Sequence, residues 1–402
     1  MNVQKELTNC PTCASANLEL IFDFDKVPLA GYFPKPGMSS SDYLFPMKFI
    51  ICRDCDLLFI SPDISDSLLF EDYRYVSSVG MASHFESFAN WFQNYFRNLD
   101  KPNILEIGCN DGPLLDAFHQ NGIEAEGIDP ATNIVELAQA KGLRVINDYF
   151  NEKSLESYQM RGKYDFIISC NSFAHISEIG KIANSVGKAL NNNGIFIVEV
   201  QAAYRMIQGR SFDFIYHEHK YYYTLKSIEN LLKKSGLYLI DGMNIDSHGG
   251  SYRLIFSKRK LDKTEGLLLM ERNESDGTLT AQNIKSAIQE FMVEIENLSK
   301  LIMEIANSGK KICGFGASGR ANMLVHYLGG SSRMIEEIFD ESQERSSREL
   351  GCSKVPISYY LVGSEIKYDY CVILAWNFET QIKKKIPSGP KFITPLPKIT
   401  IS

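Results

Sequence analysis

Apolar residues in the middle of the chain fall into short continuous runs: 103–107, 125–129, 143–146, 164–170 and 194–200. Runs of this length without a polar face read as strands buried on both sides, the pattern of a parallel sheet covered by helices. A helix is expected at 113–120, and another where Phe85, Phe88, Phe92 and Tyr95 recur at helical spacing. A helix over 225–234, a strand at 237–240 and a hairpin through 246–256 close this unit. From 258 to 277 the composition turns charged and irregular, which reads as a linker. A long helix follows over 279–306, where Ile284, Ile288, Phe291, Ile295, Leu298, Ile302 and Ile305 form one apolar stripe of core or domain interface. A second strand-turn-helix starts at Lys311, and its βαβ pattern is short, closing over 368–377. The chain is thus α/β, with parts at 1–70, 71–260 and 261–402.

Composition narrows the function classes. A chain of 402 residues has room for two or three domains with cores of their own, and 44% hydrophobic with 23% charged residues is ordinary for a globular protein. A net charge of -7 without a Lys/Arg cluster argues against nucleic acid or an anionic membrane as partner. The N-terminus lacks the apolar core of a signal peptide and no run approaches a membrane span, so a cytoplasmic location is expected. Nine cysteines there point to metal or packing. Four form two C-x-x-C pairs, Cys10 with Cys13 and Cys52 with Cys55, the spacing of a closed tetrahedral zinc ribbon whose ion is structural. Residues 28–34, between the pairs, read as an extended loop.

The candidate chemistry gathers at the ends of the central strands, where open parallel sheets bind ligands. Glu106-Ile107-Gly108-Cys109-Asn110-Asp111-Gly112 turns the first strand into a helix and is similar to the nucleoside-binding turn of class I S-adenosylmethionine methyltransferases. Asp129 ends the second strand, where an acid commonly takes ribose hydroxyls. Phe150 follows the third, where an aromatic can grip adenine, and Asn171 and His175 follow the fourth. After the fifth comes Tyr216-His217-Glu218-His219, two imidazoles, a carboxylate and a phenol able to move protons near neutral pH. Tyr73 and Tyr75 are further candidate ligand contacts.

The paired cysteines, the 106–112 turn, 171–176 and 216–219 together resemble the C-3-methyltransferases of nucleotide-linked 4-keto-6-deoxyhexoses, over essentially the whole chain and in the same order of parts. The resemblance implies a class I methyltransferase Rossmann-like sheet with an N-terminal zinc ribbon and a C-terminal Rossmann-like domain that holds the nucleotide sugar. It places the methyl donor at Glu106, Gly108, Asn110, Gly112 and Asp129. It makes His219 the general base, with Tyr216, His217, Glu218 and His175 around the sugar and Tyr75 in the substrate-contacting stretch. Cys109 and Asp129 depart from the more usual serine and glutamate, and residues 220–224 are bulkier and more basic than is typical. The chemistry agrees: carbon methylation needs a carbanion equivalent, a neighbouring ketone supplies one, an imidazole takes the α-proton and a paired carboxylate holds its tautomer.

In the C-terminal part, Gly314-Phe315-Gly316-Ala317-Ser318-Gly319 has the G-x-G-x-x-G spacing, with an acid some twenty residues on. Taken literally it suggests a nicotinamide cofactor; the resemblance suggests the sugar nucleotide, with Gly316, Ser318, Arg320 and Asn322 near its phosphates and Trp376 and Asn377 near the pocket. Three classes stay in view: the carbon methyltransferase, with an oxygen- or nitrogen-methyltransferase of a sugar nucleotide as its nearest rival; a nicotinamide oxidoreductase; and a zinc-ribbon scaffold protein. Oligomeric state is not readable from the chain.

Overall fold

The central apolar runs become five parallel strands, Ile104–Ile107, Glu126–Asp129, Val145–Asn147, Tyr164–Cys170 and Leu190–Gln201. The computed structural model describes residues 4–38, 41–70, 77–97, 99–386 and 388–402, so Tyr73 and the candidate substrate contact Tyr75 lie outside the described residues. Across the sheet the strands stand in the order third, second, first, fourth, fifth. Ser251–Ser257 then pairs antiparallel with the fifth, and Tyr238–Ile245 with Ser251–Ser257. The order reverses between the first and fourth strands, and the cleft at their carboxyl ends is where an open sheet receives a ligand. The helix Ser78–Tyr95 covers one face through Phe85, Phe88 and Phe92, packed with Phe118 and Phe166.

The C-terminal part is larger than its sequence pattern indicates. Ile312–Phe315, Ile335–Asp340, Val355–Tyr359, Tyr370–Ile373 and Lys391–Thr394 are parallel, and Arg348–Leu350 and Thr400–Ile401 close the edges antiparallel, giving seven strands. The expected short βαβ pattern is therefore corrected: the strands are three to six residues long apart from the two-residue Thr400–Ile401, so little periodicity accumulates in any of them. The expected linker is also corrected, since 258–277 contains the helix Glu265–Glu274. Thr264 accepts a hydrogen bond from Leu267 N and caps it, and only Leu267 and Met270 are buried, so its charged surface masks the helix. The long helix runs Ala281–Asn307, and its apolar stripe is buried throughout.

In the N-terminal part, Leu18–Pro28, Leu44–Cys52 and Leu58–Ser61 form an antiparallel sheet. Its fourth strand comes from far along the chain: Tyr221 pairs with Phe59 and Tyr222 with Leu58. The stretch that follows His219 is thus bolted to the first part of the protein. The long helix, the N-terminal residues Ile21, Phe24 and Val27, the loop residues Phe212, Phe214 and Ile215, and the C-terminal Ile312 and Ile338 share one hydrophobic core. Among the described residues no helix is long and apolar enough to cross a membrane.

Candidate active site

The first strand ends in a turn that only glycine fits. Gly108 has φ +71° and a Cβ built there would stand 2.4 Å from Ser172 Cβ, so the turn is pressed against the end of the fourth strand. Ser172 Oγ donates to Ile107 O at 2.7 Å and fixes that contact. Gly112, φ +79°, is the N-cap of the helix Pro113–Gln120. Asp129 closes the turn from the second strand: one oxygen accepts from Asn110 N at 3.0 Å and the other from Ala131 N at 2.9 Å. Asn110 in turn accepts from Ser77 N at 2.9 Å through its side chain. Asn171, with φ +56°, sits at the end of the fourth strand, and Phe150 is buried beyond the third. Glu106, Gly108, Asn110, Gly112, Asp129, Phe150 and Asn171 thus belong to neighbouring strand ends. Cys109 serves packing, since a Cβ on Gly127 would meet its Sγ at 2.5 Å.

Glu106 is fully enclosed and its Oε2 has no hydrogen-bond partner. Burial pushes its carboxyl well above the ordinary range, and the nearby acids Asp129, Glu199 and Asp111 push further the same way. Arg253 pairs with Glu199 and Lys141 with Asp111, so among the described residues Glu106 and Asp129 are the acids here that meet no cation. A cationic ligand presenting donors would satisfy them, and S-adenosylmethionine carries both a sulfonium and an ammonium group.

In the loop after the fifth strand and at the end of the fourth, His219, Tyr216 and His175 lie together. His219 Nδ1 lies 3.2 Å from Phe214 O, and since a carbonyl only accepts, Nδ1 carries the hydrogen. Nε2 is then the basic nitrogen, 2.9 Å from Tyr216 Oη, which donates to it. The His175 ring meets His219 edge-on at 4.8 Å. Burial pulls the His175 imidazole down to about 4, so it is neutral at physiological pH. The Phe214 carbonyl also accepts from Tyr222 Oη at 3.1 Å.

Two members of the tetrapeptide face elsewhere. The carboxylate expected to hold the tautomer of His219 does not: Glu218 Oε1 accepts from Gly31 N at 2.6 Å, in the loop of the N-terminal part, and a backbone carbonyl does the work instead. His217, expected near substrate, is buried against Phe45 with Nε2 3.2 Å from Pro46 O. Residues 216–219 form a turn closed by His219 N donating to Tyr216 O at 2.9 Å, which brings the 219 side chain back to that of 216 and leaves 217 and 218 against the N-terminal part.

The C-terminal phosphate cradle is likewise filled. Ala317 N donates to Asp340 Oδ2 at 2.7 Å, and Gly316 packs against Ala375. Ser318 caps its own helix, Gly319–Tyr327, by accepting from Ala321 N. Arg320 donates to Asp213 Oδ2 from Nε at 2.9 Å and from a terminal nitrogen at 2.6 Å, and to Asn377 Oδ1 at 2.5 Å. Trp376 Nε1 donates to the same Asp213 oxygen at 2.9 Å. Asn322 donates to Ala30 O at 2.8 Å and Tyr32 O at 3.2 Å. Arg320 and Asn322, expected near the phosphates, and Trp376 and Asn377, expected near the pocket, bond to other parts of the chain.

The four cysteine sulfurs lie within 4.8 Å of one another, Cys10 to Cys55 at 3.6 Å and Cys13 to Cys52 at 3.5 Å. Tetrahedral Zn–S bonds of about 2.3 Å place sulfurs about 3.8 Å apart, so the cluster has the size of a closed tetrathiolate site.

Sequence reasoning missed a buried trio. Glu199, on the fifth strand, accepts from Arg253 at 2.6 Å and meets His84 Nε2 at 2.7 Å. The signal was an acid inside an apolar strand, opposite an arginine in another. Lys220 is also buried, on Asp63 and Asp66, which explains the basic residue in that run.

A methyltransferase domain model matches residues 81–241, and a C-methyltransferase C-terminal domain model matches 246–397. The chain is 26% identical to the C-methyltransferase NovU of Streptomyces niveus over 99% of its own length and 97% of that protein's. A ubiquinone biosynthesis O-methyltransferase of Azorhizobium caulinodans is 30% identical over 24% of this chain and 38% of that protein. Among solved structures, the magnesium protoporphyrin IX methyltransferase of Synechocystis PCC 6803 with bound SAM aligns at a TM-score of 0.35 and 18% identity, over 45% of this chain and 81% of that one. The O-methyltransferase match is confined to a quarter of the chain, whereas the NovU match also takes in the cysteine pairs, the loop that carries His219 and the C-terminal sheet. The chain belongs to the S-adenosylmethionine-dependent C-methyltransferases.

Proposed function

We propose that this C-methyltransferase acts on a nucleotide-linked 4-keto-6-deoxy sugar, at C-3 next to the ketone, with His219 as general base. The observation that carries this reading is the His219 arrangement: Nδ1 hydrogen-bonded to a carbonyl, Nε2 basic and held by Tyr216, and a second imidazole beside it. O- or N-methylation does not require removal of a carbon-bound proton, whereas a carbon acid next to a ketone does.

Glu106, the Gly108–Gly112 turn, Asp129, Phe150 and Asn171 hold the methyl donor. Bound S-adenosylmethionine supplies an electrophilic methyl group. His219 Nε2 takes the C-3 proton, and the charge left on carbon delocalises onto the ketone oxygen. Substrate displaces the Tyr216 O–H from Nε2 and turns it to the ketone oxygen, where it and the neutral His175 donate to the developing enolate; being uncharged, neither repels the imidazolium that forms. Zn2+ at Cys10, Cys13, Cys52 and Cys55 is structural, since four thiolates leave no open position. A nicotinamide oxidoreductase would leave the first glycine turn and the His219 arrangement without a use.

The test is proton exchange. In heavy water with dTDP-4-keto-6-deoxyglucose and S-adenosylhomocysteine, the wild-type protein should wash deuterium into C-3. His219→Asn should slow this by roughly 10²–10⁴-fold, the usual worth of a general base. Undiminished exchange would remove His219 from the role, and mass transfer to oxygen with labelled donor would favour the O-methyltransferase.

A further inference from the structure

His219 owes its tautomer to one backbone carbonyl, that of Phe214, and the C-terminal domain grips the loop at that residue. Asp213 is fully buried and its Oδ2 receives three donors, two from Arg320 and one from Trp376 Nε1. The guanidinium lies flat over the Phe214 ring, 3.7 Å from its centroid, and over Trp376 at 4.8 Å. Its remaining arm reaches Asn377. Two residues further along, Asn322 holds the Ala30 and Tyr32 carbonyls, and the amide of Gly31 between them holds Glu218. The helix Gly319–Tyr327 therefore grips the loop at both ends, directly at 213–214 and through the N-terminal segment at 218.

Buried ion pairs are poor sources of stability, because desolvation consumes most of the attraction; neutral replacements of both partners are often tolerated. What a stacked guanidinium hydrogen-bonded through all three of its nitrogens gives is a fixed geometry. We propose that Arg320, with Asp213, Trp376 and Asn377, is a positioning cluster: it aims the Phe214 carbonyl at His219 Nδ1 and so keeps Nε2 unprotonated, the form a base needs. The glycine turn that looks like a phosphate cradle is here the mount for a catalytic loop. This rests on His219 being the base, as proposed above.

The test uses the full-length protein and three variants: Arg320→Gln, Asp213→Asn, and the two combined, which leaves no unpaired charge if a single change unfolds the chain. His219 imidazole nitrogen signals, assigned by their loss in His219→Asn, report the tautomer by NMR without substrate. The Nδ1–H signature is expected in wild type and lost or mixed in the combined variant. Deuterium exchange into dTDP-4-keto-6-deoxyglucose should fall by roughly 10–100-fold, as for a modest misplacement of a catalytic group, with KM changed less than about twofold. Raised KM with unchanged exchange and unchanged tautomer would overturn the proposal and make Arg320 a phosphate ligand. A native tautomer and native kcat in the combined variant would overturn it outright. If the variants lose the Nδ1–H signature while His219→Asn still exchanges at the wild-type rate, the positioning stands and the assignment of the base falls.

Discussion

At the scale of single residues, the tetrapeptide that concentrates titratable groups divides its labour. Tyr216 and His219 bond to each other, and Glu218 and His217 hold the loop to the N-terminal part. His217 has a measurable consequence for stability. Burial pulls its imidazole down to about 4 from an ordinary 6.5, since Pro46 and Pro28 carbonyls offset only part of the desolvation. The folded state therefore resists the proton that the unfolded chain accepts. Stability from this group is complete above 6.5 and is lost as pH falls toward 4. Between about pH 7 and about pH 5 the loss from this group alone is about 2 kcal/mol. Glu218 works in the opposite sense, because burial raises its carboxyl and its protonated form suits the folded state. The two are separated by comparing wild type with His217→Gln in denaturant titrations at the two pH values. The variant, unable to titrate, should lose less stability on acidification by that amount; parallel losses would mean that His217 is protonated in the fold.

At the scale of elements, the central sheet was legible because strands buried on both faces read as unbroken apolar runs: 164–170 and the helix at 113–120 coincide with what forms, and the stripe from Ile284 to Ile305 is buried as its spacing demands. Elements whose existence depends on distant partners were not. Tyr221–Tyr222 is a strand only because Leu58 and Phe59 lie beside it, and nothing within two residues announces that. The same holds for the site. His219 was visible as a residue type, but its tautomer is set by a backbone carbonyl, which has no side-chain signature. Arg320 was read as a phosphate ligand because its local turn looks like one, while its partner Asp213 stands far away in sequence. The first glycine turn is the element whose local reading and tertiary setting agree, and it can be tested against a matched control. Gly108 and Gly122 share a left-handed backbone, φ +71° and +72°, but an added Cβ meets Ser172 at 2.4 Å in the first and nothing within 4 Å in the second. Gly122→Ala should cost about 1–2 kcal/mol, the left-handed penalty alone. Gly108→Ala adds the collision and should destabilise by more, and should weaken S-adenosylhomocysteine binding in isothermal titration while Gly122→Ala leaves it unchanged. Equal affinities would mean that the Gly108 turn does not shape the donor pocket.

At the scale of the molecule, three parts converge on residues 212–223: the N-terminal sheet takes 221–222 as a strand, the Gly31 amide takes Glu218, and the C-terminal helix takes Asp213. The turns at 108–112 and 129–131, proposed to hold the donor, belong by contrast to the central sheet. The cysteine cluster should therefore couple to the chemistry more than to donor affinity, which it reaches only through the shared core residues Ile107, Ile128 and Phe150. Cys10, Cys52 and Cys55 are buried in the same core as Phe59, Tyr221 and Tyr223, so the packing around the sulfurs continues into the strand that anchors the loop. Four thiols without an ion lose the bonds that hold two separate turns together, and binding free energy at such sites is folding free energy. Stripping the metal with a chelator, with release followed by a zinc-sensitive dye, should lower the melting temperature by more than about 5 °C, the response to a loss of a few kcal/mol in a chain of this size. S-adenosylhomocysteine affinity should change little, whereas methyl transfer and C-3 deuterium exchange should fall together by at least about tenfold, the scale expected when a catalytic group is displaced. Restoring Zn2+ should recover both. Loss of donor affinity in step with activity would instead mean that the cluster supports the central sheet as a whole, and full activity in the stripped protein would detach the N-terminal part from the catalytic loop.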